Sequence, residues 1–236
     1  MLIKIFTLQC DGFPSQHFIR TSGNAGIGRN INISQTIRDH HASTVGITEK
    51  SQLILKLIKA RTWHEYFKVF WGHSRTHTEF KGSKLLSSVG IDAPEVYEMG
   101  ISLPVRRGEK YIGYYLMENI EESGYFALSS IQNNLSGAQI SMLTSELAKV
   151  MKTLNDHKIV YSDLNFDNIY CEPTTMSIKL IDTGAKLYHR RKNHNAKFRK
   201  ALKNLTKSIK KSSLKGTKLD SHFKDELIKS KKTERK

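Results

Sequence analysis

The sequence predicts an α+β fold in two parts, an N-terminal part built on an antiparallel sheet with one helix and a mainly helical C-terminal part. Three observations predict it. Residues 53–58 and 111–117 are compact runs of Ile, Leu and Tyr, as buried strands are. Ile140, Leu143, Leu147, Val150, Met151 and Leu154 recur at three- and four-residue spacing, the period of a helix. Phe198, Ala201, Leu202, Leu205 and Ile209 repeat that spacing in a strongly basic setting. The 236 residues suit one domain of two lobes, or a compact domain plus an appendage. The expected divisions are 1–118, 119–212 and a flexible basic tail over 213–236.

Taken in order, residues 2–8 read as a short strand. Residues 12–32 are rich in Gly, Asn and Ser and read as loop. They include Gly23-Asn24-Ala25-Gly26-Ile27-Gly28, either a phosphate cradle or an ordinary surface loop, because the Walker Lys/Ser ending is missing. The run 52–59 is a strand with Lys56 at its centre. Lys is seldom buried unless paired, so Lys56 either faces water or has a partner. Lys59 reads as a solvated strand end. Residues 74–88 fit a helix with Ser74 as N-cap and Gly90 as its stop, and Glu79 lies on it. Gly90 to Pro94 turns into an extended segment. Glu118-Asn119-Ile120 leaves the 111–117 strand as a polar connector. Ser136 or Gly137 opens the helix that runs to about residue 155.

The formal net charge of +16 is uneven. Residues 186–236 carry 19 Lys or Arg against 4 Asp or Glu, so the other 185 residues sum to about +1. A near-neutral domain with a basic end expects an anionic partner: nucleic acid, an anionic membrane surface or a phosphorylated substrate. Cys10 and Cys171 show neither a disulfide framework nor metal spacing and read as free thiols in a reducing cytosol. The start, Met1-Leu2-Ile3-Lys4, is interrupted by charge too soon for a signal peptide. No run approaches the ~18 apolar residues of a membrane span.

The chemistry is concentrated in Tyr161-Ser162-Asp163-Leu164-Asn165-Phe166-Asp167-Asn168 and Asp182-Thr183-Gly184, with short apolar strands around them. Phosphoryl transfer needs a group to orient the attacking hydroxyl, oxygen ligands for Mg²⁺ and a cation on the phosphates. The pattern D-x-x-x-x-N, then a strand, then D-x-G supplies the first two. Asp163 would take or hold the hydroxyl proton, Asn168 and Asp182 would coordinate Mg²⁺, and Gly184 lets the chain turn. Each piece alone recurs by chance, and Asp-Thr-Gly also occurs in aspartic proteases. Those proteases need two such carboxylates on an all-β architecture, which the helical runs oppose.

These segments resemble the catalytic loop and metal-binding DFG of kinase-fold phosphotransferases. Within that superfamily, residues 63–98 and the basic run after Asp182 look most like the lipopolysaccharide kinase (Kdo/WaaP) family. Glu79 and Gly90-Ile91-Asp92-Ala93-Pro94-Glu95-Val96 carry that likeness, which covers roughly residues 50–210. The resemblance implies a two-lobed protein-kinase-like fold. It makes Lys56 the holder of the nucleotide phosphates, Glu79 its helix partner, and Met117 to Ile120, Glu118 included, the hinge whose backbone meets adenine. It implies ATP and Mg²⁺, with an inner-core sugar of lipopolysaccharide, Kdo or heptose, as acceptor. Tyr161 stands where protein kinases have His and Thr183 where they have Phe, and no A-P-E follows. A protein-kinase role is therefore disfavoured.

The basic stripe after residue 190 has two readings: an interfacial helix on the anionic cytoplasmic face of the inner membrane, or a helix packed on the large lobe. A soluble or protein acceptor, and a non-catalytic nucleic-acid-binding protein, are the competing functions. The second rests on the charged end, which has few aromatics for base stacking.

Overall fold

The computed structural model describes residues 5–10, 13–23, 30–49, 53–102, 111–182 and 184–233. The chain divides into two units, 1–80 with 94–119 and 81–93 with 120–236. The first contains β1 (Ile5–Cys10), β2 (Phe13–Gly23), β3 (Asn30–Ile31), β4 (Ile33–Asp39), β5 (Ser43–Thr48), β6 (Ile54–Lys59), α1 (His64–Phe70), the start of α2 (Arg75–Ser88), β7 (Val96–Ile101) and β8 (Tyr111–Met117). The strands form one sheet in the order β3-β1-β2-β7-β8-β6-β5-β4, antiparallel except for β1 with β3.

β6 lies between β5 and β8, and all six of its residues are buried. Strand alternation sorts them. Leu55 and Leu57 join Phe18, Tyr114 and Leu116 on one face, while Ile58 joins Val69, Phe80, Ile112 and Tyr115 on the other. Burial on both faces explains why the strand reads as a continuous apolar run. Lys56 has the parity of Ile58, the face packed by α1 and α2.

The second unit follows with β9 (Phe126–Ala127), α3 (Leu128–Ile131), α4 (Gly137–Asp156), β10 (Ile159–Tyr161), β11 (Ile169–Cys171), β12 (Ile178–Leu180), β13 (Ala185–Leu187), α5 (Arg191–Lys210) and α6 (Lys218–Thr233). Ser136 caps α4 in a reciprocal box with Gln139, so the helix begins where the sequence placed its start. The helical stripe of α4 buries Leu143, Leu147, Met151 and Leu154 in one core with β10 to β12, α5 and α6. β10 pairs with β13 and β11 with β12, both antiparallel.

Four expectations need correction. Residues 12–32 are not all loop: β2 is an eleven-residue strand whose polar composition disguised it, although it pairs with both β1 and β7. Residues 24–29, most of the glycine-rich segment, lie outside the described residues. Residues 81–93 belong to the second unit, because Leu86 and Ile91 pack into its core. The flexible tail expected over 213–236 is largely α6, held by the wholly buried Leu214, Leu219 and Phe223. Leu219, Phe223 and Leu227 recur every four residues on one face, which is enough to dock a helix. Lys59 is buried, not solvated. It pairs with Asp39 and donates to the His40 carbonyl at 2.7 Å.

Candidate active site

In the first unit, Lys56 is 5% exposed and its Nζ lies 3.1 Å from Glu79 Oε2. Residue 56 takes that position because β6 turns it towards the face on which α2 runs. The same Glu79 oxygen accepts a short hydrogen bond from the Tyr115 hydroxyl. Tyr115 is the cross-strand neighbour of Lys56 on β8, and the ammonium lies 5.5 Å from its ring centroid. A buried ammonium is thus compensated by a carboxylate and an aromatic ring, the condition under which such a charge is tolerated. The Glu118 N–H donates to the Glu95 carbonyl at 2.9 Å, and the Glu118 carboxylate accepts from the Glu95 N–H at 3.3 Å.

In the second unit, β10 ends at Tyr161 and releases the loop to Asn168, where β11 begins. Leu164 and Phe166 point into the core and pin the loop, while Asp163 is exposed and Asn168 half-buried. Asn165 organises the turn: its Oδ1 accepts from the N–H groups of Asp167 at 2.9 Å and Asn168 at 3.2 Å, an Asx turn. The side-chain amides of Asn165 and Asn168 both donate to the Asp163 carbonyl, at 3.2 and 2.8 Å. From behind, the Asn204 amide on α5 donates to the Ser162 carbonyl at 3.2 Å.

The end of β12 is tied to this loop. The Ile181 N–H donates to the Asn168 carbonyl at 3.1 Å, and the Tyr161 hydroxyl donates to the Ile181 carbonyl. The next residue, Asp182, is half-buried and has φ +53, in the left-handed region that Asp visits more readily than most side chains. Its charge reaches Tyr170, whose phenol is pushed up by burial first and then by the carboxylates of Glu121 and Asp182. Thr183 lies outside the described residues. The Gly184 N–H returns to the Asp182 carbonyl at 2.7 Å.

The loop therefore joins Asp163, Asn168 and the backbone of Ile181, the residue before Asp182, in one hydrogen-bonded constellation, and β6 with α2 brings Lys56 to Glu79. Ile120 is buried, and its carbonyl accepts from the N–H groups of Ser123 and Tyr125, each at 3.1 Å. The sequence reading missed Tyr115 and Asn165 as supports. Tyr115 follows from strand register, which needs the pairing partner, whereas Asn165 was legible as an Asx-turn residue two positions after Asp163. Tyr161, noted only as a departure from His, ties the loop to the strand before Asp182.

Among the described residues, no group of three or more His, Cys, Asp and Glu is placed to hold a metal ion. Asn168 and Asp182 offer an amide and a carboxylate oxygen, hard donors of the kind Mg²⁺ takes while keeping water and phosphate in its other positions. The stripe of α5 is accounted for within its own unit, since Ala201, Leu202, Leu205 and Ile209 are buried in the core. That apolar face is not available to lipid, and the interfacial reading of α5 is corrected accordingly. No protein-family model matches the chain, and neither does any curated protein.

Proposed function

We propose that this chain is a kinase-like phosphotransferase that moves the γ-phosphoryl group of ATP to a sugar hydroxyl, with the inner core of lipopolysaccharide as the acceptor class. The observation that carries the reading is the buried Lys56–Glu79 pair. A lysine held dry on a central strand against one carboxylate adds little net stability, so a functional reason for it is favoured, and phosphate binding is the use that fits the acidic loop of the second unit.

In this reading Lys56 holds the nucleotide phosphates, and Glu79, itself held by Tyr115, keeps the ammonium in place. Asp163 orients the acceptor hydroxyl and receives its proton, with its backbone fixed by Asn165 and Asn168. Asn168 and Asp182 hold Mg²⁺, which when bound neutralises charge on the phosphate oxygens. The connector from Met117 to Ile120 meets adenine through backbone groups. The acceptor and the resemblance to the Kdo/WaaP family rest on sequence features alone. A glycolipid acceptor places the protein peripherally on the cytoplasmic face of the inner membrane, in keeping with the absence, among the described residues, of a helix able to cross a membrane.

The test is transfer from labelled ATP with Mg²⁺ to purified core-truncated lipopolysaccharide, comparing wild type with Asp163→Ala. Label in the glycolipid that the variant fails to add supports both chemistry and acceptor. Binding of Mg-ATP without glycolipid labelling would move the acceptor to a soluble molecule or a protein. Absence of nucleotide binding would end the kinase reading and leave the basic segment 186–236 as evidence for nucleic acid.

A further inference from the structure

Large exposed apolar side chains are ordinary when scattered and informative when clustered. Among the described residues eight such side chains are exposed, and three of them fall within nine positions: Trp63, Phe67 and Trp71, at 64%, 55% and 77%. They bracket and ride on α1 at four-residue spacing, which places them within an arc of roughly 80° on one side of the helix. The opposite side is already satisfied. Val69 is 2% exposed and, with Tyr66, packs into the core beneath β6 and β8. The ridge is thus an addition to a helix that needs none of these rings to dock.

The charge around the ridge has one sign. Arg61 and Lys68 are exposed beside it, as are His64 and His73. The one acid on α1, Glu65, is turned to its own fold, accepting from the Arg61 N–H at 2.8 Å and lying 3.7 Å from Arg75. Indole rings prefer the boundary between headgroup and hydrocarbon, where the ring is buried and its N–H stays wet. Basic side chains beside them meet anionic headgroups. Single-stranded nucleic acid fits less well, because stacking needs open ring faces. Trp63 has His64 over it at 4.0 Å and the edge of Phe67 at 5.4 Å.

We infer that α1 with Trp63 and Trp71 is a docking surface for an anionic lipid bilayer, held by interfacial insertion of the aromatic ridge and by Arg61 and Lys68 on the headgroups. The inference rests on the glycolipid-acceptor reading for its biological sense, and it moves the membrane contact from α5 to α1.

The molecule carries its own reporter, since its only two tryptophans are Trp63 and Trp71. The full-length, nucleotide-free protein is mixed with vesicles of phosphatidylcholine alone or with phosphatidylglycerol added, and binding is read by sedimentation and by tryptophan emission. The expected result is sedimentation with the anionic vesicles, a blue shift, and quenching by lipids brominated high on the acyl chain. Trp71→Ala lowers partitioning about tenfold, and Arg61→Glu with Lys68→Glu removes the anionic preference while both reporters remain. Vesicle binding that leaves the emission unchanged, no vesicle binding, or displacement of vesicles by a single-stranded oligonucleotide would each overturn the inference. Asp163→Ala binds vesicles as wild type does. Vesicle binding without phosphate transfer therefore removes only the proposed function, and transfer to detergent-dispersed glycolipid without vesicle binding removes only the docking surface.

Discussion

Lys56–Glu79 and the loop from Tyr161 to Asn168 solve opposite problems. The first is a pair of charges taken out of water, with side chains only 6% and 15% exposed, so each partner depends on the other. The second leaves the Asp163 carboxylate in solvent and spends its order on backbone, with Asn165, Asn168 and Asn204 all donating to carbonyls. The contrast teaches where substitution should register. In the buried pair a single substitution disturbs stability and the proposed function together, whereas in the loop the two separate.

The largest expected effect sharpens that separation. Asp163→Ala lowers phosphate transfer about 10²- to 10⁴-fold, the usual worth of a positioned general base. Stability changes by less than about 0.5 kcal/mol, because the side chain is exposed. Chemical denaturation beside the transfer assay checks both, and a large loss of stability would break the comparison.

Glu79→Ala should cost about 3–5 kcal/mol of unfolding free energy, since it strands a buried ammonium. The double replacement Lys56→Met with Glu79→Leu should recover most of that loss without restoring nucleotide binding. If Glu79→Ala unfolds at the wild-type denaturant midpoint, the pair is not the dry one described.

A smaller effect has the opposite sign. Asp182→Gly removes a side chain from a backbone with φ +53 and should raise stability by up to about 1 kcal/mol while abolishing Mg²⁺-dependent nucleotide binding. Gain of stability with loss of function at one residue would mark backbone strain kept for chemistry.

The smallest effect concerns Cys171, whose wholly buried thiol is pushed by burial up to about 12 from 9.0. The folded state keeps its proton to higher pH than the unfolded chain. This contribution to stability is therefore intact below about pH 9 and is lost as the pH rises towards 12. The thiol should resist alkylation at pH 8 until the protein is denatured. Rapid native-state labelling would contradict the burial.

The two constellations also differ in how legible they were. The spacing Asp163, Asn168, Asp182 is local, and loops between short strands keep local order, so their residues could be read directly. The partnership of Lys56 with Glu79 came only through a resemblance, because 23 positions separate them. Lys59 shows the limit. An identical residue three positions on, it looked solvated and is instead buried against Asp39, a partner on β4 that no local pattern reveals. Long-range pairing also brought β2 into the sheet against its own polar composition.

By itself, the sequence determined the helical period of α4 and α5, the capped start at Ser136, the buried strands β6 and β8, and the order of the acidic loop. These depend on spacing of side chains along one element, which the chain carries in itself. Only the tertiary structure decided which face of each amphipathic helix meets protein. The stripe of α5 is covered by its own core while the aromatic ridge of α1 stays in solvent. A period fixes the angle between side chains but not what lies opposite them, and that is set by distant segments arriving on one side or the other.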